Sequence, residues 1–255
     1  MENTQNLVSI ANKLRKELLV KHSESGMSHI GSDFSALDIM ISLYIGEILS
    51  EEDRFILSKG HAALGLYAVL HEKGIISDAE YSTLGKNGSM LGEHPIYGIK
   101  GIDVVTGSLG HGLSIAVGMA LAKKRNNEKG HIYTLLSDGE CQEGSTLEAM
   151  NFGSRFELNT ITAIVDSNKW QAFDRTVLPA DKIKSEFSAA GWETVVIDGH
   201  DYKQLNNALT RKTTLPYLII ADTVLGKGVK SMEDKLAWHY RAPSDEEVGL
   251  FTKEI

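Results

Sequence analysis

The sequence predicts an α/β fold, a doubly wound and mostly parallel sheet with helices on both faces. Three observations predict it. Short apolar, β-rich runs alternate with segments of helical period through the second half of the chain, the order that builds strand-helix-strand units. The 255 residues contain no internal repeat, low-complexity tract or Pro- and Ser-rich linker, so residues 1–255 read as a single domain at a length that would allow one large domain or two small ones. Glycine is in excess, 24 residues against 4 prolines, and many of these glycines stand beside histidine or aspartate, as they do where turns at strand ends meet a ligand.

From Thr4 to His22 the apolar residues Leu7, Ile10, Ala11, Leu14 and Leu18 recur at helical spacing and predict an opening amphipathic helix. A second helix is expected to begin at Ser32 or Asp33, either of which can cap it, with Phe34, Leu37, Ile41, Tyr44, Ile45 and Ile48 on one face. A third runs from about His61 to Glu72 and stops at Gly74. Residues 85–110 are glycine-rich, contain Pro95 and keep no period. A loop of this length that leads directly into an apolar helix, Leu113 to Ala122, reads as functional. Then come a strand from His131 to Leu136, a helix from Ser145 to Phe156, strands at Ile161–Val165 and Trp192–Ile197, a helix at Tyr202–Leu209 and a strand at Tyr217–Ala221.

Composition removes several function classes. Hydrophobic residues at 42% and charged residues at 24% fit a packed globular protein and exclude a disordered or fibrous one. With 26 basic against 34 acidic residues the net charge is −8, which argues against a nucleic-acid binder. The one basic cluster, Lys123-Lys124-Arg125, reads as a solvated helix end. Cys141 is the only cysteine, so neither an internal disulfide framework nor a multi-cysteine metal site is available. It lacks the partner pattern of a nucleophile. No apolar stretch reaches the roughly 18 residues of a membrane span, and the start lacks a basic region followed by an apolar one, so a cytoplasmic protein is expected.

The chemistry gathers at two strand ends. Asp138-Gly139 follows one predicted strand and Asp166-Ser167-Asn168-Lys169-Trp170 follows the next. Singly, these are common turn residues. Together they supply a carboxylate, an amide oxygen and a backbone carbonyl, hard donors suited to Mg²⁺ or Ca²⁺ that would complete its shell with phosphate.

Asp138-Gly139, followed after 28 intervening residues by Asn168, resembles the thiamine diphosphate motif. More specifically, the chain resembles the N-terminal, diphosphate-binding half of transketolase in the form encoded as a separate subunit. The likeness is carried, in the family's order, by Ser28-His29-Ile30-Gly31-Ser32, Ser58-Lys59-Gly60-His61-Ala62, Gly107 to Gly112, Ser137 to Gly144 and Asp166 to Gln171. A looser stretch runs from Lys227-Gly228 through Trp238-His239. Ser137 departs from the glycine usual in the family.

The resemblance implies that Asp138, Asn168 and the carbonyl of Trp170 hold Mg²⁺, with Ca²⁺ as a substitute, against the diphosphate of the cofactor. It places Gly107, Ser108, Leu109, Gly110, His111, Gly139 and Glu140 at the cofactor, with His61 and His239 near its diphosphate. His29, His61 and His94 are implied as catalytic, moving protons on the hydroxyls of a donor sugar, a task that suits imidazole with its ordinary pKa of about 6.5. His22, His71, His131 and His200 read as caps or satisfied core residues. Glu143 and Glu148 read equally well as helix N-terminal acids or as a proton relay between paired sites, and Lys227-Gly228 as a mobile loop or a plain turn.

In this class the cofactor bridges two domains, and 255 residues leave no room for the second. The implied assembly is a heterotetramer with a separate C-terminal subunit that carries the pyrimidine-binding domain, acting on sugars or sugar phosphates, with the isolated chain silent. Two alternatives stand beside it: the α subunit of a 2-oxo acid dehydrogenase, which the histidines at 29, 61 and 94 disfavour, and a non-catalytic protein that kept the fold, which Asp138, Asn168 and His61 together disfavour. A dinucleotide-binding dehydrogenase is weaker, since no strand is followed by Gly-x-Gly-x-x-Gly.

Overall fold

The computed structural model describes residues 2–255. Its centre is a five-stranded parallel sheet of order β1-β2-β3-β5-β4, formed by β1 (Arg54–Leu57), β2 (Ile132–Ser137), β3 (Ile161–Ser167), β4 (Glu193–Asp198) and β5 (Tyr217–Asp222). Strand side chains alternate between two cores. Phe55, Leu57, Tyr133, Leu135, Ile164, Tyr217, Ile219 and Ala221 join one, and Ile56, Ile132, Leu136, Ile161, Ala163, Val165, Leu218 and Ile220 the other. Both faces are therefore apolar, which a parallel sheet covered on both sides requires.

The first core packs against α1 (Glu2–Ser25), α2 (Ile30–Tyr44), α3 (Ala63–Glu72) and, from late in the chain, α8 (Tyr202–Leu209). On that side also lie α4 (Asp78–Tyr81), α9 (Ala237–Tyr240) and α10 (Asp245–Phe251). The second core packs against α5 (Gly112–Asn126), α6 (Gly144–Arg155) and α7 (Ala180–Ala189). Lys123 and Lys124 at the end of α5 donate to the carbonyls of Glu52, Lys129, Phe156 and Glu157, so the basic cluster closes helix and loop ends. Among the described residues no helix is long and apolar enough to cross a membrane.

The structure corrects the sequence reading in three places. The second helix starts earlier than Ser32, at Ile30, because His29 takes a left-handed turn (φ 70°) that begins it without a side-chain cap. Asp33, expected to cap, is buried instead and accepts from the Gly65 amide at 2.7 Å while facing His22 at 2.8 Å. Strand β1 and helices α4, α7, α9 and α10 go unannounced, β1, α4 and α9 because four residues show no usable period. The helices α4 and α10 carry capping boxes, Ser77 with Glu80 and Ser244 with Glu247, a pattern visible in the sequence itself.

Candidate functional site

Parallel strands bring all their carboxyl ends to one side. The loops that leave β1, β2 and β3 enclose a cleft of about 430 Å³. His29, His61, His94, Gly107, Leu109, Gly139, Asn168, Trp170 and His239 all stand in its wall, so most of the expected site residues converge from six separate segments. Ser108 and His111 are exposed beside it, His111 at the start of α5, while Gly110 is buried. Asp138 and Glu140 are fully buried.

Glycine sets how closely the loops approach. A Cβ on Gly60 would lie 2.9 Å from the amide nitrogen of Gly107, so the loop after β1 and the loop before α5 meet backbone to backbone. Gly110 has φ 87° and would drive a Cβ to within 2.5 Å of Ser145 Oγ. Its amide donates to Glu140 at 2.8 Å, and Glu140 also takes the Ser58 hydroxyl and the Ser137 amide (3.3 Å). Glu140, expected at the cofactor, thus turns inward and braces the loop that lines the cleft. Ser137, in place of the family's glycine, accepts the Glu140 amide at 3.1 Å and so keeps the turn closed.

Three histidines form a cluster. The ring centroids of His29 and His239 lie 4.8 Å apart, those of His29 and His61 5.1 Å, and those of His61 and His239 5.7 Å. Burial, followed by the charge of Lys59 and the neighbouring imidazoles, holds His61 well below the usual histidine range. Burial pushes His239 down to about 4, with His29 and Lys59 adding to the shift. Burial also lowers His29, against the opposing charges of Glu93 and Asp33. At neutral pH these three rings are uncharged and can both accept and donate. His29 Nδ1 is buried without a partner, and His239 has one contact, Ser32 Oγ at 3.3 Å. A left-handed non-glycine residue costs about 1–3 kcal/mol and needs a rigid surround. Here the amide and hydroxyl of Ser28 are both given to Glu93, and the His29 carbonyl takes the amides of Ser32 and Asp33 at 2.8 and 3.1 Å.

The oxygen donors fit a divalent cation. The Asp138 carboxylate accepts the amides of Gly139 (2.8 Å) and Lys169 (2.7 Å), with no cationic side chain hydrogen-bonded to it. Burial and the charge of Asp166 push its pKa up to about 7, the signature of a buried carboxylate short of positive charge. Asn168 Nδ2 donates to Ser35 Oγ at 3.2 Å, which orients the amide so that Oδ1 receives the Trp170 amide at 3.0 Å. Trp170 pairs with Arg175 as an antiparallel bridge, and the hydrogen bonds of that pair run from Thr176 to Lys169 (3.0 Å) and from Gln171 to Asp174 (2.9 Å). The Trp170 carbonyl therefore points away from its partner strand and accepts no hydrogen bond among the described residues. Among those residues, too, no group of three His, Cys, Asp or Glu could hold a metal elsewhere.

The sequence motifs contain Lys59 and Asp166 but pair neither with the other. Both are fully buried, and Asp166 takes Lys59 and Ser35 Oγ (2.6 Å) on one oxygen and Thr223 on the other. This network lies behind Asn168 and shares Ser35 with it. Ser32, Gln142, Ala172 and Phe173 also wall the cleft. The first two sit within the family-like stretches, and Phe173 carries no sequence signal. Glu143 lines the cleft, whereas Glu148 is exposed on α6. The remaining histidines bond outside the cleft: His22 to Asp33 and the Met27 carbonyl, His71 to Asp78, His131 to Thr162, and His200 to Asp38 and the Val224 amide. Cys141 is buried, and burial raises its thiol well above the usual range.

Residues 16–255 match the family described as transketolase, thiamine diphosphate binding domain. The chain is 35% identical to an apulose-4-phosphate transketolase subunit from Phocaeicola vulgatus, covering 99% of this chain and 94% of that one. It is 38% identical to human transketolase over 93% of this chain but only 40% of that protein. Among solved structures, transketolase from Campylobacter jejuni superposes with a TM-score of 0.88 at 30% identity, covering 100% of this chain and 42% of that one. The chain thus spans nearly all of the Phocaeicola protein and about two fifths of the human and Campylobacter ones. With the cleft of histidines and oxygen donors in the place that fold provides, the chain belongs to the transketolase family, as its thiamine diphosphate binding domain.

Proposed function

We propose that this chain is the diphosphate-binding subunit of a two-chain, cytoplasmic transketolase that moves a two-carbon ketol unit from a ketose donor to an aldose acceptor with thiamine diphosphate and Mg²⁺. The observation that carries this reading is one cleft whose wall contains His29, His61, His94 and His239 together with Gly139, Asn168 and Trp170. Asp138, Asn168 and the Trp170 carbonyl would hold the metal, Ca²⁺ serving as a substitute, and Gly107, Leu109 and Gly110 would lie along the cofactor beside the N-terminus of α5, which favours an anion. When bound, the cofactor supplies a carbanion-stabilising thiazolium for cleavage of a carbon-carbon bond. The chain's own part is proton traffic. An imidazole kept neutral by burial can take a proton from a sugar hydroxyl and return it, and the cluster of three rings offers several positions from which to do so.

No lysine or arginine stands among the residues that wall the cleft. A phosphate on the sugar would therefore be met by a second chain, and the similarity to a protein named as one subunit of a transketolase supports that partner. We assign it the pyrimidine-binding domain, with two such pairs forming a heterotetramer. The test is ketol transfer, measured with thiamine diphosphate and Mg²⁺ across a panel of ketose and sugar-phosphate donors, by this chain alone and co-purified with its second subunit. Turnover by the pair and none by the chain alone is expected. Transfer by the isolated chain overturns the two-chain reading, and a pair that binds the cofactor yet accepts no ketose overturns the assigned reaction.

A further inference from the structure

We propose that Asp234 is a positioning residue for the metal: together with Arg175 it clamps the Trp170 indole from outside the cleft and so fixes the direction of the Trp170 carbonyl. The inference rests on the reading above, in which that carbonyl faces Mg²⁺.

Asp234 Oδ1 accepts the Trp170 indole N–H at 2.8 Å and one arm of the Arg175 guanidinium at 2.6 Å, while Oδ2 accepts the other arm at 2.7 Å. The guanidinium in turn lies 3.8 Å from the Trp170 ring centroid. This stacking follows from the backbone, because Trp170 and Arg175 form the non-hydrogen-bonded type of antiparallel pair, in which facing side chains come closest. Ring face, ring nitrogen and main chain of Trp170 are thereby each held by a different contact.

Asp234 comes from a distant part of the chain. It adopts a left-handed turn (φ 59°), ties its own amide to the Leu225 carbonyl at 2.9 Å, and belongs to the loop that leads into His239. One carboxylate thus joins the Asn168–Trp170 wall to the segment that delivers a cluster histidine. Its reach extends one step further, since the Trp170 amide donates to Asn168 Oδ1, so a tilt of Trp170 also turns the second oxygen donor. The Arg175 and Asp234 side chains are 46% and 55% exposed, and ion pairs so open to water contribute little to folding. What a planar fork on a carboxylate does supply is direction, which lysine's point charge does not reproduce.

Partners that orient a metal's direct ligands typically change metal affinity by about 10–100-fold when lost. The test titrates Mg²⁺ against a fixed concentration of thiamine diphosphate, followed by tryptophan emission and calorimetry, on the chain alone and with its second subunit. Asp234→Ala is expected to raise the half-saturating Mg²⁺ concentration by about 10–100-fold. Arg175→Lys should share the loss and Asp234→Glu should recover most of it, all with melting temperatures in the absence of metal within about 2 °C of the parent. Unchanged Mg²⁺ affinity in a folded Asp234→Ala overturns the clamp. A loss that Asp234→Glu does not restore, or that follows a fallen melting temperature, overturns the positioning role in favour of a structural one. A parent chain with no Mg²⁺-dependent binding of thiamine diphosphate in either form overturns the underlying reading instead.

Discussion

His200, on the turn after β4, and His239, on α9, are both largely enclosed imidazoles of the C-terminal third, yet they are furnished differently. His200 has both ring nitrogens committed, Nδ1 to the Asp38 carboxylate at 2.7 Å and Nε2 to the Val224 amide at 3.0 Å. Asp38 also holds Arg15 at 2.6 Å and Tyr202 at 2.8 Å, and Arg15 with its neighbours pulls the carboxyl, despite its burial, down to about 2. His239 has a single long contact to Ser32, and its companions have fewer still: His61 makes no hydrogen bond among the described residues and His29 Nδ1 is orphaned. An imidazole whose nitrogens are used up is a strut. One that burial keeps neutral and the protein leaves open is available to a ligand. The difference therefore lies in the partners, not in the residue type.

The largest effect expected from breaking this contrast is on turnover. His61→Ala in the reconstituted pair should lower turnover by roughly 10²–10⁴-fold, the usual worth of a general acid or base. Its melting temperature should stay close to that of the parent, because no hydrogen bond is removed. A His61→Ala chain that melts much earlier would place His61 with the struts. Next in size is the opposite substitution. Asp38→Ala strands a buried arginine and leaves His200 and Tyr202 without their acceptor, and should cost about 3–5 kcal/mol in denaturant unfolding, with binding of thiamine diphosphate retained below the transition. Loss of binding in a chain that is still folded would show that the two histidine groups are coupled.

These assignments are only partly legible in the sequence, for a physical reason. Motif likeness and glycine neighbours single out His61 and His94 and place His239 at the cofactor, and the structure brings all three to one cleft with His29. What completes a strut is invisible in one dimension: Asp38 meets His200 across 162 residues, Lys59 meets Asp166 across 107, and Asp234 meets Trp170 across 64. Its neighbourhood in the chain places Glu140 at the cofactor, yet one turn of 3₁₀ helix points it inward at Ser58 and Gly110. The fold is easier to read, since strands buried on both faces are plain apolar runs. It escapes where the element is too short to show a period, as in β1, or where His29's left-handed turn begins a helix with no capping side chain.

Acid sharpens the contrast by separating the two groups in pH. The cluster rings titrate lower in the folded chain than their usual value of about 6.5, with His239 at about 4. Between those values the unfolded chain binds more protons, so the cluster's contribution is complete above about 6.5 and is lost as pH falls toward 4. Lys59 and the rings facing one another push the same way, while Glu93 and Asp33 oppose at His29. Asp38, lowered to about 2 from an ordinary value near 3.8, contributes fully above 3.8 and loses its share only as pH falls through 2. Measured without metal as a difference from the parent, the fall in stability between pH 6.5 and 4 should therefore be shallower in His239→Gln and the fall below pH 4 shallower in Asp38→Asn, while Asp138, raised to about 7, acts in the opposite sense over the upper range in parent and variants alike. An unchanged slope between pH 6.5 and 4 in His239→Gln would mean that burial does not depress the titration of that ring.

The smallest expected effect is at the one bond His239 does make. At 3.3 Å the contact from Ser32 is long, and an ordinary hydrogen bond contributes only about 0.5–1.5 kcal/mol net. Ser32→Ala should thus cost less than about 1 kcal/mol in unfolding and change turnover of the pair less than tenfold, because His239 is held by the packing of His29, Tyr240 and the α9 turn rather than by the hydroxyl. The informative quantity is the ratio of the two effects. If Ser32→Ala were as damaging to stability as Asp38→Ala, the serine would be fixing His239 as Asp38 fixes His200, and openness of the ring nitrogens would no longer distinguish the histidines of the cleft from those of the core.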